Sequence, residues 1–232
     1  MTNPARLHSD LSRLGRETDM FLATVASLSD TEMAAASLCE GWSRADVIAH
    51  VASNGYALAR LIDGDASGWE PQLHAPGGIQ SEDVSTLAAL PRGELLAELR
   101  ESARTFAAKA QQLDDDGAGH EVKMNGELIP AVSLVALRVA EVVVHHHDLD
   151  TAWTIEEADP DSLLDALEAA VRSLRAQGAP GMTLVTEERD EWTIGDGGLR
   201  VVSDREGLLQ WLARGDAEHI EADGPVPALP AW

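Results

Sequence analysis

The stretch LRVAEVVVHHHDLDTAW, residues 137–153, decides how this chain is read. Its apolar residues recur at helical period, interrupted by Arg138, Glu141, His145 and Asp148 at spacings of three and four, which share one helical face. Along a helix axis Glu141 and His145 are offset by about 6 Å at ~1.5 Å rise per residue, a workable separation for two ligands of one small cation. A buried glutamate is costly unless it is paired or metal-bound, and Arg138 is the competing partner one turn earlier. Spacing alone leaves the ion pair and the metal equally open. His146 and His147 step off this face by about 100° each and are expected to be solvated or to support the ligands rather than join them. Asp148 is placed either to orient the His145 imidazole or to stay solvated near the helix end.

A third ligand type stands far upstream, in GWSRADVIAHVASNGYALARL, residues 41–61. Ser43 and Asp46 form a capping-box pattern that starts a helix, and Gly64 offers its stop. Val47, His50, Val51, Asn54, Leu58 and Leu61 then share a face. By itself His50 reads as a core histidine. If it converges with Glu141 and His145, two helices supply one carboxylate and two imidazoles. Such a set leaves a coordination position open, unlike structural zinc sites, which four protein ligands usually close.

The rest of the chain builds outward from these two segments. Leu7, Leu11, Leu14, Phe21, Leu22, Val25 and Leu28 mark a first helix from about Pro4 to Leu28. Leu95, Leu96, Leu99, Ala103, Phe106 and Ala110 mark another over about 92–113, and the helix bearing Glu141 begins near Pro130. Residues 65–91 read as an irregular connection punctuated by proline and glycine, long enough to be a functional loop. A small hairpin is expected around EVKMNGELI, residues 121–129. The four helical segments predict a four-helix bundle over residues 1–153, a common host for metal sites. From 154 to 232 the pattern changes: EEADPDS as a linker, a helix over 160–177, strands in MTLVTEE, EWTIGDG and LRVVSD, a helix over 204–213 and a proline-rich tail. The expected fold class is α+β, a bundle followed by a small α+β domain.

Composition limits the partners. Forty acidic against 17 basic side chains give a formal net charge of −23. That surface repels phosphate backbones and anionic lipids, which argues against nucleic acid and membrane partners. An anionic substrate would need a local cation. Cys39 is the one cysteine, which rules out an intramolecular disulfide or a thiolate zinc cluster and suits a small buried hydrophobe. The polar amino terminus and the lack of an apolar run of about eighteen residues give the expectation of a cytoplasmic protein. Nothing in the sequence speaks to oligomeric state.

EGWSRADVIAHVASN (40–54), HEVKMNGELIPAVSL (120–134) and RVAEVVVHHHDLD (138–150) resemble the amino-terminal bundle of the mycothiol-dependent maleylpyruvate isomerases, within the DinB-like superfamily of metal-binding four-helix bundles. WLARGDAEHIEADGPVPALPAW (211–232) resembles the ending of the same family, so the likeness spans the chain, with the 65–91 segment matching poorly. It implies Zn2+, or another divalent metal, on His50, Glu141 and His145, and mycothiol as thiol cofactor. It also implies a functional arginine at Arg214, suited to holding a carboxylate of an anionic substrate bidentately. The implied reaction is cis–trans isomerisation of maleylpyruvate to fumarylpyruvate by thiolate addition, bond rotation and elimination. Relatives in the superfamily transfer thiols to other electrophiles, and an activated thiolate is common to both activities.

Overall fold

A computed structural model describes residues 4–64, 82–115, 120–124 and 127–230. Four long helices form the first layer: α1 (Pro4–Ser27), α3 (Arg44–Ile62), α5 (Arg92–Asp115) and α6 (Ser133–Asp148). Between α1 and α3 lies the single turn α2 (Asp30–Met33), and α4 (Glu82–Ala88) precedes α5. α1 and α3 each pack against both α5 and α6, so the four form a closed bundle. The expected stripe of α1 is inward, with Leu7, Leu14, Phe21, Val25 and Leu28 buried, each contributing about 1.5–3 kcal/mol of apolar burial.

α3 starts as its capping box dictates. The Ser43 N–H donates to Asp46 Oδ2 at 2.8 Å and the Asp46 N–H donates to Ser43 Oγ at 3.3 Å. It ends before Gly64, whose φ of 78° supplies the left-handed turn. More than one face of α3 is buried, because α5, α6, α4 and α2 all pack on it. Gly55 allows a close approach of α5: a Cβ there would lie 2.2 Å from Ser102 Oγ. That hydroxyl donates to the Ala52 carbonyl at 2.6 Å.

Distant arginines finish two of the helices. The last carbonyls of α1 accept from Arg92, whose Nη2 is 2.6 Å from Ala26 O. The carbonyls ending α6 accept from Arg44, through Nε to Leu149 O and through Nη2 to Asp150 O at 2.6 Å. A cation on these unpaired carbonyls also complements the helix dipole. The Leu38 N–H donates to Asp148 O at 3.0 Å, pinning the 38–44 segment against the end of α6.

Several sequence expectations change. Of the stretch expected to be irregular, residues 65–81 lie outside the described residues, but 82–88 form α4. α4 buries Val84 and packs Leu87 and Ala88 against the core, but at 7 residues it is shorter than the stretch over which a helical period is read. α6 begins at Ser133, because Pro130 closes the second strand of the expected hairpin, β1 (Glu121–Met124) against β2 (Glu127–Pro130). The EEADPDS linker holds a 3-10 turn, Ile155–Glu157, anchored by buried Ile155.

The carboxy-terminal part comprises α7 (Pro160–Ala176), β3 (Met182–Thr186), β4 (Glu191–Ile194), β5 (Leu199–Ser203), α8 (Arg205–Arg214) and β6 (Glu221–Ala222). The sheet order is β4-β3-β5-β6, with β3 and β5 parallel and the other pairs antiparallel. Asp159 caps α7 and Asp204 caps α8 through their side chains. α7 packs against α6 and α8, and α8 against β5. Ionic contacts fasten α7 to α1: Arg13 Nη2 to Asp165 Oδ2 at 2.5 Å, Arg16 Nη2 to Asp159 Oδ2 at 2.7 Å. The fold is α+β, with a helical bundle leading and a smaller mixed unit behind it.

Candidate metal centre

His50 on α3 and Glu141 and His145 on α6 meet inside the bundle. Glu141 Oε2 lies 3.3 Å from His50 Nε2 and 3.3 Å from His145 Nε2, and the three ligand atoms fall within 4.8 Å of one another. A tetrahedral ion with ligands at ~2.0–2.1 Å has ligand-to-ligand edges of about 3.3 Å. The two edges from Glu141 match that figure, and the His50–His145 edge is within 4.8 Å. Both imidazoles are buried, while the Glu141 side chain keeps 26% of its surface, which leaves the carboxylate on the accessible side of the group. The His50 ring also packs against Trp42, with centroids 5.6 Å apart, so the Gly-Trp preceding the α3 cap forms part of the wall.

The ion-pair alternative for Glu141 is not formed. Arg138 is buried and turns to α3 instead, where Nη1 donates to Val51 O at 2.8 Å and Asn54 Oδ1 at 2.7 Å. Burial pushes the Arg138 pKa down to about 10. Its guanidinium therefore cross-links the two ligand-bearing helices one turn from the centre.

The electrostatics of the group favour positive charge beside the Glu141 carboxylate. Burial raises the Glu141 pKa, but hydrogen bonds with His145 and His50 outweigh it and hold the carboxyl well below its ordinary range. Burial lowers the His145 pKa, and Asp148, Cys39 and Glu141 together drive it well above. His50 goes the other way, lowered chiefly by burial.

Asp148 is not solvated. It is fully buried, and its Oδ2 lies 2.7 Å from His145 Nδ1. Its other partner comes from the carboxy-terminal unit: Arg214, the last residue of α8, donates through Nε to Asp148 Oδ1 at 2.6 Å and through Nη2 to Oδ2. Arg214 Nη1 donates to Ala213 O at 2.6 Å, and Nη2 approaches Cys39 Sγ at 3.6 Å. The guanidinium edge expected to hold a substrate carboxylate is thus occupied by a carboxylate of the protein itself.

Cys39, His145 and Asp148 form a second cluster of ligand types. Arg214 lies against both Cys39 and Asp148, and its charge opposes a cation there, so the His50–Glu141–His145 group is the one that fits a metal. Cys39 is buried as expected, but its position beside His145 and Asp148 had no signal in the sequence. It follows from the contact between residues 38–44 and the end of α6.

His146 departs from expectation. It is buried, its Nε2 lies 2.7 Å from Thr24 Oγ1, its ring stacks on Trp153 with centroids 3.8 Å apart, and Phe21 meets it edge-on. Burial pushes its pKa down to about 3. The ring faces α1 and the turn after α6, away from the ligands, because a 100° step on a helix packed on several sides leads to another interior. His147 is half-buried.

Comparison with known proteins agrees with this architecture. The crystal structure of a mycothiol-dependent maleylpyruvate isomerase superposes with a TM-score of 0.80 at 26% identity, covering 100% of both chains. A histidine-to-alanine mutant of a mycothiol-dependent maleylpyruvate isomerase superposes with the same TM-score at 24% identity and the same coverage, a likeness of fold. No curated protein matches. The family model of the mycothiol maleylpyruvate isomerase N-terminal domain matches residues 14–150, from within α1 to just past Asp148. Spanning more than half of the chain and both ligand-bearing helices, that match makes this protein a member of the mycothiol maleylpyruvate isomerase family.

Proposed function

We propose that the protein is a mycothiol-dependent maleylpyruvate isomerase whose metal, zinc in our reading, is held by His50, Glu141 and His145 of the bundle (residues 1–153), with Arg214 contributed by the carboxy-terminal domain (154–232). The observation that carries this reading is the pair of 3.3 Å edges joining Glu141 to both histidines, in a chain that belongs to this family. A divalent ion there would supply a Lewis-acidic centre with a free position, able to keep a thiol as thiolate at neutral pH. The reaction assigned is conversion of maleylpyruvate to fumarylpyruvate: a thiolate adds to the cis double bond, the resulting single bond rotates, and elimination leaves the trans alkene.

The chain's own part is binding and orientation. Glu141 and the two imidazoles would hold three positions of the ion and leave a further one free for a thiol. Asp148 holds the proton of His145 Nδ1, so that Nε2 presents its lone pair to the centre. With the Nε–Nη2 edge of Arg214 on Asp148, a substrate carboxylate is left an Nη1 hydrogen and the positive field, a weaker hold than the bidentate one expected. In a protein of net charge −23 even that local positive field matters for an anionic substrate.

Incubating the purified protein with mycothiol and maleylpyruvate should yield fumarylpyruvate, with no product when either mycothiol or the metal is withheld. Consumption of mycothiol by an electrophile, with no fumarylpyruvate formed, would instead assign a thiol transferase. No helix among the described residues is long and apolar enough to cross a membrane; we propose a cytoplasmic site of action, where a low-molecular-weight thiol is available as partner.

A further inference from the structure

We propose that Arg214 is a positioning residue that acts through Asp148, so that the end of α8 sets how tightly the His50–Glu141–His145 group holds a divalent cation. The proposal rests on the metal-site reading above and gives Arg214 a role distinct from substrate binding.

Three observations lead to it. Asp148 is 0% exposed and bridges His145 Nδ1 on one side and Arg214 on the other. A buried carboxylate with one partner removed is left uncompensated and recovers by taking a proton or by moving. Either response releases the Nδ1 hydrogen that fixes the His145 tautomer and ring plane. Arg214 itself has little freedom: Nε and Nη2 are on Asp148, Nη1 is on Ala213 O at 2.6 Å, and Cys39 Sγ lies 3.6 Å from Nη2. The backbone fixes the same point, since α8 stops at Arg214 and Gly215 turns away with φ 75°, its N–H returned to Trp211 O at 2.8 Å.

The consequence is a line of contacts from the carboxy-terminal unit to a ligand atom: α8 to Arg214, Arg214 to Asp148, Asp148 to His145. The first link is covalent, Arg214 being the last residue of α8, and the other two are charge-assisted hydrogen bonds. Residues outside a metal's own ligand set that orient a ligand histidine typically change affinity by about 10–100-fold when removed. The bundle supplies all three ligands, yet on this account it does not reach full affinity without a residue from the other unit.

The test is titration of the metal-stripped full-length protein with Co2+, reading affinity and the visible absorption bands of the bound ion. The parent should bind one Co2+ per chain, and His50→Ala should not. Arg214→Ala should bind about 10–100-fold more weakly, with displaced bands, and Arg214→Lys should recover part of the loss. Asp148→Asn, close in shape and less disruptive to packing, should weaken binding by a similar factor. Arg205→Ala is the control: it breaks the 2.7 Å pair with Asp190 within the same unit and should leave affinity and spectrum unchanged. Parent-like binding and bands in both Arg214→Ala and Asp148→Asn would overturn the proposal while the metal site stands. An equal loss in Arg205→Ala would also overturn it, by showing a general effect of docking. A parent that binds no Co2+, or binds it equally well after His50→Ala, would remove the metal site and the proposal together.

Discussion

His145 and His146 are consecutive residues of one helix, 2% and 1% exposed, yet they end in opposite chemical states. His145 looks toward α3 and is ringed by charge: Glu141 at Nε2, Asp148 at Nδ1, and Arg214 behind Asp148. Against burial, these anions hold its pKa well above the ordinary value. His146 looks toward α1 and meets Phe21, Trp153 and one hydroxyl, and burial carries its pKa to about 3. Equal burial therefore says little about what a histidine does. The charge of its neighbours decides, and here that is a matter of which helix faces it.

The sharpest way to break this contrast is to delete each ring. His145→Ala, like Glu141→Gln, should abolish stoichiometric metal binding, measured by elemental analysis of purified protein; a full complement of metal would end the distinction. His146→Ala should leave metal content near one per chain but lower stability by about 2–4 kcal/mol, the usual cost of emptying a packed aromatic site, read from denaturant melts. Loss of metal with unchanged stability would reverse the two roles.

A pH series refines the comparison further. Below pH 6.5 an unfolded chain takes up the proton that the folded His146 refuses until about pH 3. More protons on the unfolded state mean that stability falls as pH drops through that window and is full above it. His146→Phe should flatten this part of the profile in thermal melts, and an unchanged slope would assign the acid sensitivity to other groups. The smallest effect is expected from His147→Ala: at a half-buried position that feels Asp148 and Arg214 only through their opposing charges, it should change stability by less than about 0.5 kcal/mol and leave metal binding intact.

Much of the architecture was legible because it rests on local rules. The α3 capping box, the period of α1 and α5, the β1–β2 hairpin and three of the four strands of the mixed unit each depend on residues within a few positions of one another. α4 is not legible because its 7 residues, with Val84, Leu87 and Ala88 facing the core, are too few to show a period. At the site, Glu141 and His145 were paired by spacing, and His50 was brought to them by resemblance; the 3.3 Å edges needed two helices in register.

Contacts between distant segments were not legible. That Arg138 leaves Glu141 for Val51 and Asn54, that Arg44 and Arg92 close helices far from their own, and that Cys39 lies beside His145 are facts of packing. The same holds for Arg214, singled out by family resemblance, whose partner, Asp148, lies 66 residues away. Helical period and capping are set by backbone geometry and read directly from residue order. Which of two buried histidines faces charge, and which carboxylate a guanidinium finds, depends on how helices and sheet dock, a choice made by the whole core at once.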